Sequence, residues 1–155
     1  MKINEYGLNL MIDHRPKMVR EASFDYKSVQ CCNEPSKVVE MLNECFQMNK
    51  RAEEYVYMIS FDNCLRPIAF FELAHGSITS APSNPREIFV RALLSGAVYI
   101  MIAHNHPSGN LKPSDGDDEV FHRIKESGEL IGIKLLDFLI VGGDSYKSYH
   151  EDMKL

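Results

Sequence analysis

Apolar positions along the chain follow two periods, and the period switches at proline and glycine. Val38, Val39, Met41, Leu42, Cys45 and Phe46 recur at the three-to-four spacing of one helical face. Pro35 stands where a first helical turn tolerates a missing N–H, so a helix is predicted from there. Tyr55–Phe61 is aromatic and β-branched and ends at Asp62-Asn63, the pattern of a buried strand and a turn. Residues 67–73 (PIAFFEL) read as its hairpin partner, with Gly76 after them and a loop over residues 82–85. Ile88, Phe89, Ala92, Leu93 and Leu94 mark a second helix, from Pro85 to a stop at Gly96. Residues 98–103 (VYIMIA) are apolar without interruption, which predicts a central strand covered on both faces. A third helix is expected over about residues 115–127 and one or two further strands within about residues 131–141.

The order is helix, hairpin, helix, strand, helix, strand, which points to an α/β domain. The first 34 residues keep no steady period. Residues 6–12 are strand-like and residues 28–32 suggest a second short strand, but Pro16 and the charges between them break the pattern. Residues 1–34 are therefore expected to be an N-terminal arm packing on a single domain of residues 35–155. No internal repeat, low-complexity tract or linker interrupts the chain.

Composition narrows the class. Of 155 residues, 45% are apolar and 25% charged, an ordinary globular balance that excludes disordered and fibrous readings. A chain of this size buries roughly two-thirds of its unfolded surface, so its core needs no staples. The formal charge of −5 lacks the basic excess of proteins that grip phosphates, and no direct nucleic-acid contact is expected. Cys31, Cys32, Cys45 and Cys64 include no CxxC pair and fit reduced thiols. With neither a signal-peptide plan nor an apolar run of the roughly 20 residues a membrane helix requires, a soluble cytoplasmic protein is expected.

Chemistry concentrates where the apolar strand breaks into a proline- and glycine-rich loop. His104 and His106, at i and i+2, point to one side of an extended chain, so both imidazoles can reach one ion. Asp117 falls in the first turn of the third helix, and two imidazoles with one carboxylate form a common catalytic zinc set that leaves a position for water. Ordinary alternatives exist. Asp117 stands three residues after Ser114, a capping-box spacing, and both histidines can serve as hydrogen-bonded loop residues. His104-Asn105-His106 is not an HNH nuclease motif, whose residues are spread along a ββα unit.

HNHPSGNLKPSDGD resembles the metal-binding signature H-x-H-P-x(6)-S-x(2)-D of the JAB/MPN (JAMM) metalloprotease superfamily. His104, His106, Pro107, Ser114 and Asp117 match every specified position. The form HNHPSG, with Pro85-Arg86-Glu87-Ile88-Phe89 before it and Leu139-Ile140-Val141-Gly142 after it, is similar to the RadC-like JAB domain. The likeness covers about residues 35 to 150. It implies the JAB/MPN (cytidine deaminase-like) fold, a mixed β-sheet flanked by helices, with Zn2+ on His104, His106 and Asp117. Two departures stand out. The helix-hairpin-helix DNA-binding segment that often precedes the domain is absent from this sequence, and Phe138 replaces a histidine that is no ligand, so little effect is expected from it.

The family's mechanism adds a glutamate before the first strand, which takes a proton from the zinc-bound water and passes it to the leaving amine. Glu54 matches that position; Glu53 is its neighbour, and Glu72 and Glu87 are weaker rivals. Ser114 matches the residue that donates to the oxyanion. The resemblance thus implies a zinc metallopeptidase or isopeptidase acting on a peptide or protein substrate. The alternative is a non-hydrolytic JAB module acting as a partner in a DNA-repair or mobile-element complex. Neither oligomeric state nor substrate follows from the sequence.

Overall fold

Seven strands form one mixed sheet in the computed structural model, which describes residues 1–27, 32, 34–76 and 84–153. They are β1 (Lys2–Leu10), β2 (Pro16–Asp25), β3 (Tyr55–Phe61), β4 (Pro67–His75), β5 (Tyr99–Asn105), β6 (Lys134–Gly142) and β7 (Ser145–Ser148). Across the sheet the order is β2-β1-β4-β3-β5-β6-β7. Only β1 with β4 and β5 with β6 run parallel; the other neighbours are antiparallel. The helices are α1 (Pro35–Phe46), α2 (Pro85–Ser95), α3 (Asp115–Ile131) and the short α4 (Tyr149–Met153). The result is the mixed sheet flanked by helices that the resemblance implies.

Alternation along the strands sorts side chains to two faces. Tyr57, Ile59, Met101, Ala103, Leu139 and Val141 meet Val38, Met41, Leu42 and Phe46 of α1 on one side. Val56, Met58, Ile100, Ile102, Phe138 and Ile140 meet Ile88, Phe89 and Ala92 of α2 and Phe121 and Ile124 of α3 on the other. Because β5 is covered on both sides, its sequence is apolar at every position up to His104 rather than at alternate ones. The parallel β5–β6 pair demands a crossover, and α3 supplies it. This connection brings the end of β5 next to the start of α3.

The helices begin and end much as their punctuation predicts. Pro35 opens α1, Asn84 caps α2 by accepting from the Arg86 N–H at 3.1 Å, and Gly96 at φ 70° closes it. α3 runs longer than expected. It continues through Ile131 and stops at Gly132 in left-handed backbone, so β6 starts only at Lys134. At the N-terminus, β1 starts and ends earlier than residues 6–12, leaving Met11 and Ile12 outside it, and pairs with Pro16–Asp25, where the sequence pattern shows no strand. That stretch is the sheet's outer strand and keeps Lys17, Arg20, Glu21 and Asp25 exposed. It therefore has no need of an apolar face on every turn of the pleat. The short strand expected over residues 28–32 lies, apart from Cys32, outside the described residues, as do residues 82 and 83 of the expected loop. Among the described residues no helix is long and apolar enough to cross a membrane.

Candidate metal centre

His104 is the next-to-last residue of β5 and points to the side covered by α2 and α3, in step with Ile100 and Ile102. His106 lies one residue past the strand, yet its N–H still donates to the Val141 carbonyl at 2.8 Å. That bond carries the β5–β6 ladder past the strand end and keeps the backbone extended. The two imidazoles consequently share one side, as their i, i+2 spacing predicts, with Nε2 atoms 3.0 Å apart.

Asp117 arrives from the other direction, in the first turn of α3. Its Oδ2 accepts the Ser114 N–H and the Ser114 hydroxyl, both at 2.7 Å, while its own N–H donates to Ser114 Oγ at 3.2 Å. This is a capping box, so the ordinary reading of Asp117 holds. It does not exhaust the carboxylate: Oδ1 lies 3.2 Å from His104 Nε2, and Oδ2 lies 3.7 Å from His106 Nε2. Oδ2 secures the helix and Oδ1 faces His104.

Three observations fit this group to a metal ion. Ligands about 2.0–2.1 Å from a tetrahedral ion are roughly 3.3 Å apart, close to the 3.0 Å between the two Nε2 atoms and the 3.2 Å from His104 Nε2 to Asp117 Oδ1. His106 Nδ1 donates to the Asn110 carbonyl at 2.6 Å, which leaves the lone pair on Nε2, the atom that faces the cluster. His104 is 1% exposed and its Nδ1 has no hydrogen-bond partner; a core histidine kept for hydrogen bonding would use that atom. All its polar contacts are instead on the Nε2 side, and its ring lies 5.3 Å from that of Phe138. Burial pushes the Asp117 carboxyl up, but the hydrogen bond and charge of His104, with the Ser114 bonds, outweigh it. The carboxyl stays well below the usual range and is ionised at neutral pH. His104, His106 and Asp117 can therefore hold a metal ion together.

The four glutamates singled out from the sequence part company in the structure. Every β3–β5 pair has residue numbers adding to one constant, with Val56 opposite His104 and Tyr57 opposite Ala103. The last pair of that register is Val56 with His104, and the half-buried Glu54 lies two residues before it, just ahead of β3. Glu53 is exposed. Glu72 pairs with Tyr57 across the strands and accepts from its hydroxyl at 3.3 Å, on the α1 side of the sheet. Glu87 is exposed in the first turn of α2, paired with Arg86 and Arg91. Ser114 sits at the α3 N-cap with its hydroxyl donating to Asp117.

Three groups at the site have no signature in the sequence: the Val141 and Asn110 carbonyls and the Asn105 side chain. Asn105 is 2% exposed and faces away from the histidines. Its Oδ1 accepts the Tyr55 N–H at 2.6 Å and its Nδ2 donates to the Glu53 carbonyl at 3.0 Å. Only its position between two histidines hints that it occupies the opposite side of the strand.

Comparison with known proteins places this geometry. Residues 32–155 match the family model described as RadC-like JAB domain. A UPF0758 protein of Xanthomonas axonopodis pv. citri is 42% identical over 105 residues, covering 68% of this chain and 47% of that protein. A UPF0758 protein of Streptococcus gordonii is 51% identical over 80 residues, 52% of this chain and 35% of that protein. One from Geotalea uraniireducens is 32% identical over 124 residues, 80% and 54% of the respective chains. The chain thus spans about half the length of these relatives, or less. The family match takes in the hairpin, β5, α3 and all three candidate ligands, and the chain belongs to the RadC-like JAB family.

Proposed function

We propose that the protein is a zinc-dependent hydrolase of amide bonds, a metallopeptidase or isopeptidase. The carrying observation is the convergence of His104, His106 and Asp117 where β5 ends and α3 begins, with the half-buried Glu54 just ahead of β3, the strand paired to β5. Two imidazoles and one carboxylate are a common ligand set of hydrolytic zinc and leave a position open. Zinc bound there supplies Lewis-acid activation of a water and a carbonyl.

The chain supplies the rest. Glu54 takes a proton from the attacking water on its carboxylate and delivers it to the leaving amine nitrogen as the C–N bond breaks. Ser114 Oγ, which donates to Asp117 Oδ2, turns its hydrogen toward the developing oxyanion. Asp117 keeps the bond from the Ser114 N–H, so the carboxylate stays in place when the hydroxyl rotates. A donor aimed at that charge is worth about 3 kcal/mol.

The test uses the purified, zinc-loaded chain on a library of internally quenched peptides and on lysine isopeptides, read by mass spectrometry. Cleavage is expected from the wild type. Glu54→Gln should keep one zinc per chain and lose about 100-fold or more in rate. His104→Ala should lose both zinc and cleavage. Zinc retained without cleavage of any amide by the wild type would overturn the hydrolase reading, and a non-hydrolytic partner role would replace it.

A further inference from the structure

We propose that Asn105 is the positioning residue for Glu54, clamping the two peptide groups that flank it and so setting where its carboxylate stands. The inference rests on Glu54 being the base in the reading above. Regular β3–β5 pairing ends at Val56 opposite His104. One step further on, the Tyr55 N–H goes to the Asn105 side chain instead of a backbone carbonyl, at 2.6 Å. The same carboxamide reaches back to the Glu53 carbonyl at 3.0 Å. Glu54 is the residue between those two groups. Its own carbonyl accepts the Gly76 N–H at 2.9 Å, so the residue just past β4 holds from one side what Asn105 holds from the other.

The residue type follows from the task. A backbone N–H can only donate and a carbonyl can only accept, so the bridging side chain must offer one acceptor and one donor in fixed geometry. A carboxamide does this. Aspartate of the same shape keeps the acceptor but loses the donor and sets a charge against the Glu53 carbonyl. The chain's alternation completes the device. His104 and His106 point to the metal side, and the residue between them must point to the other, where the segment before β3 ends. One tripeptide therefore supplies two ligands and the clamp for the base. With both flanking peptides fixed, the Glu54 carboxylate is left with its side-chain rotations alone.

The experiment uses cobalt(II) in place of zinc in the full chain, so that no substrate is needed. It follows the pH midpoint of the visible absorption band in wild type, Glu54→Gln, Asn105→Ala and the double variant. A carboxylate beside the bound water shares its titration, so the midpoint belongs to the pair. Glu54→Gln should move it by on the order of one pH unit. Asn105→Ala should move it the same way with cobalt stoichiometry unchanged, and should add nothing when Glu54 is already glutamine. A shift with Glu54→Gln but a wild-type midpoint for Asn105→Ala would overturn the positioning role and leave the base standing. A wild-type midpoint for Glu54→Gln would overturn the base assignment and the positioning role with it. Should Asn105→Ala not fold, Asn105→Asp is read in its place, with the same displacement expected. Loss of cobalt from both Asn105 variants would overturn the inference by making Asn105 a support of the metal site itself.

Discussion

Gly142 is where the loop that carries His106 rests on the sheet, and a single methyl group there tests whether that contact places the ligand. An ideal Cβ on Gly142 would lie 2.8 Å from the Gly109 carbonyl oxygen and 2.8 Å from Leu111 Cδ2. Non-bonded carbon contacts of about 3.5 Å are normal, so the loop must rise by roughly 0.5 Å or more. Ligand positions tolerate only about 0.2 Å. His106 moves with the loop, because its Nδ1 is bonded to the Asn110 carbonyl within it. Overpacking of this kind costs about 1–3 kcal/mol, which for a chain of this size lowers Tm by roughly 2–12 °C. Zinc affinity should fall about 10- to 100-fold, the usual effect of disturbing a group that orients a ligand. Gly109→Ala is the control. At φ 76° it costs about 1–2 kcal/mol in backbone strain, but its Cβ meets nothing within 4 Å. It should lower Tm while leaving zinc affinity alone. Affinities come from competition with a chromophoric chelator, and Tm from melts of the metal-free protein. If Gly142→Ala binds zinc as tightly as wild type, the seat of the loop on β6 does not place His106.

Asp137 supplies a pH-dependent test. It is buried at the β6–α4 joint, accepting the Phe138 and His150 N–H groups at 2.8 and 2.9 Å and the Ser148 hydroxyl at 2.6 Å. Burial pushes its carboxyl up in spite of these bonds. A carboxyl raised in the folded state favours folding most below its ordinary pKa of about 3.9, and that stability is lost as pH rises through the folded value. Asp137→Asn should therefore lose less stability than wild type between pH 4 and 7 in thermal melts; an unchanged slope would refute this. Phe138 supplies another test. An imidazole in place of its ring, 5.3 Å from His104, can meet the unpartnered Nδ1. In place of the little effect expected from the sequence, Phe138→His should therefore raise zinc affinity about tenfold at some cost to the packing against Phe121 and Tyr149, and unchanged affinity would refute it.

The site was legible in the sequence because its ligands are local. Spacing marks two histidines on one strand end and an aspartate in the next helical turn as candidates, the resemblance joins them into one set, and the unbroken apolar run before His104 declares a strand covered on both sides. Asn105 was not legible, since its partners at 53 and 55 are brought to it only by β3–β5 pairing. β2 was hidden for a similar reason. Its pairing with β1, not an intrinsic pattern in Pro16–Asp25, makes it a strand. The choice between Asp117 as cap and Asp117 as ligand was open for a different cause. Spacing assigns a residue one place, whereas a carboxylate has two oxygens, and here they face different partners.

A cation at the start of a helix opposes the helix dipole, whose N-terminal end carries about half a positive charge. α3 answers this with Asp115, Asp117 and Asp118 in its first turn. Of these, Asp118 accepts the Tyr149 hydroxyl at 2.6 Å, which ties the acidic turn to α4, and Asp117 is only 4% exposed. The attraction for a cation thus comes from aspartate carboxylates, which the positive end of the dipole itself favours at that place. The chain's modest net charge of −5 understates this local excess. Had the site been meant for an anion, the bare helix N-terminus would have sufficed, and three aspartates would have been an obstacle. Two imidazoles facing a carboxylate in that turn can instead hold a metal ion together.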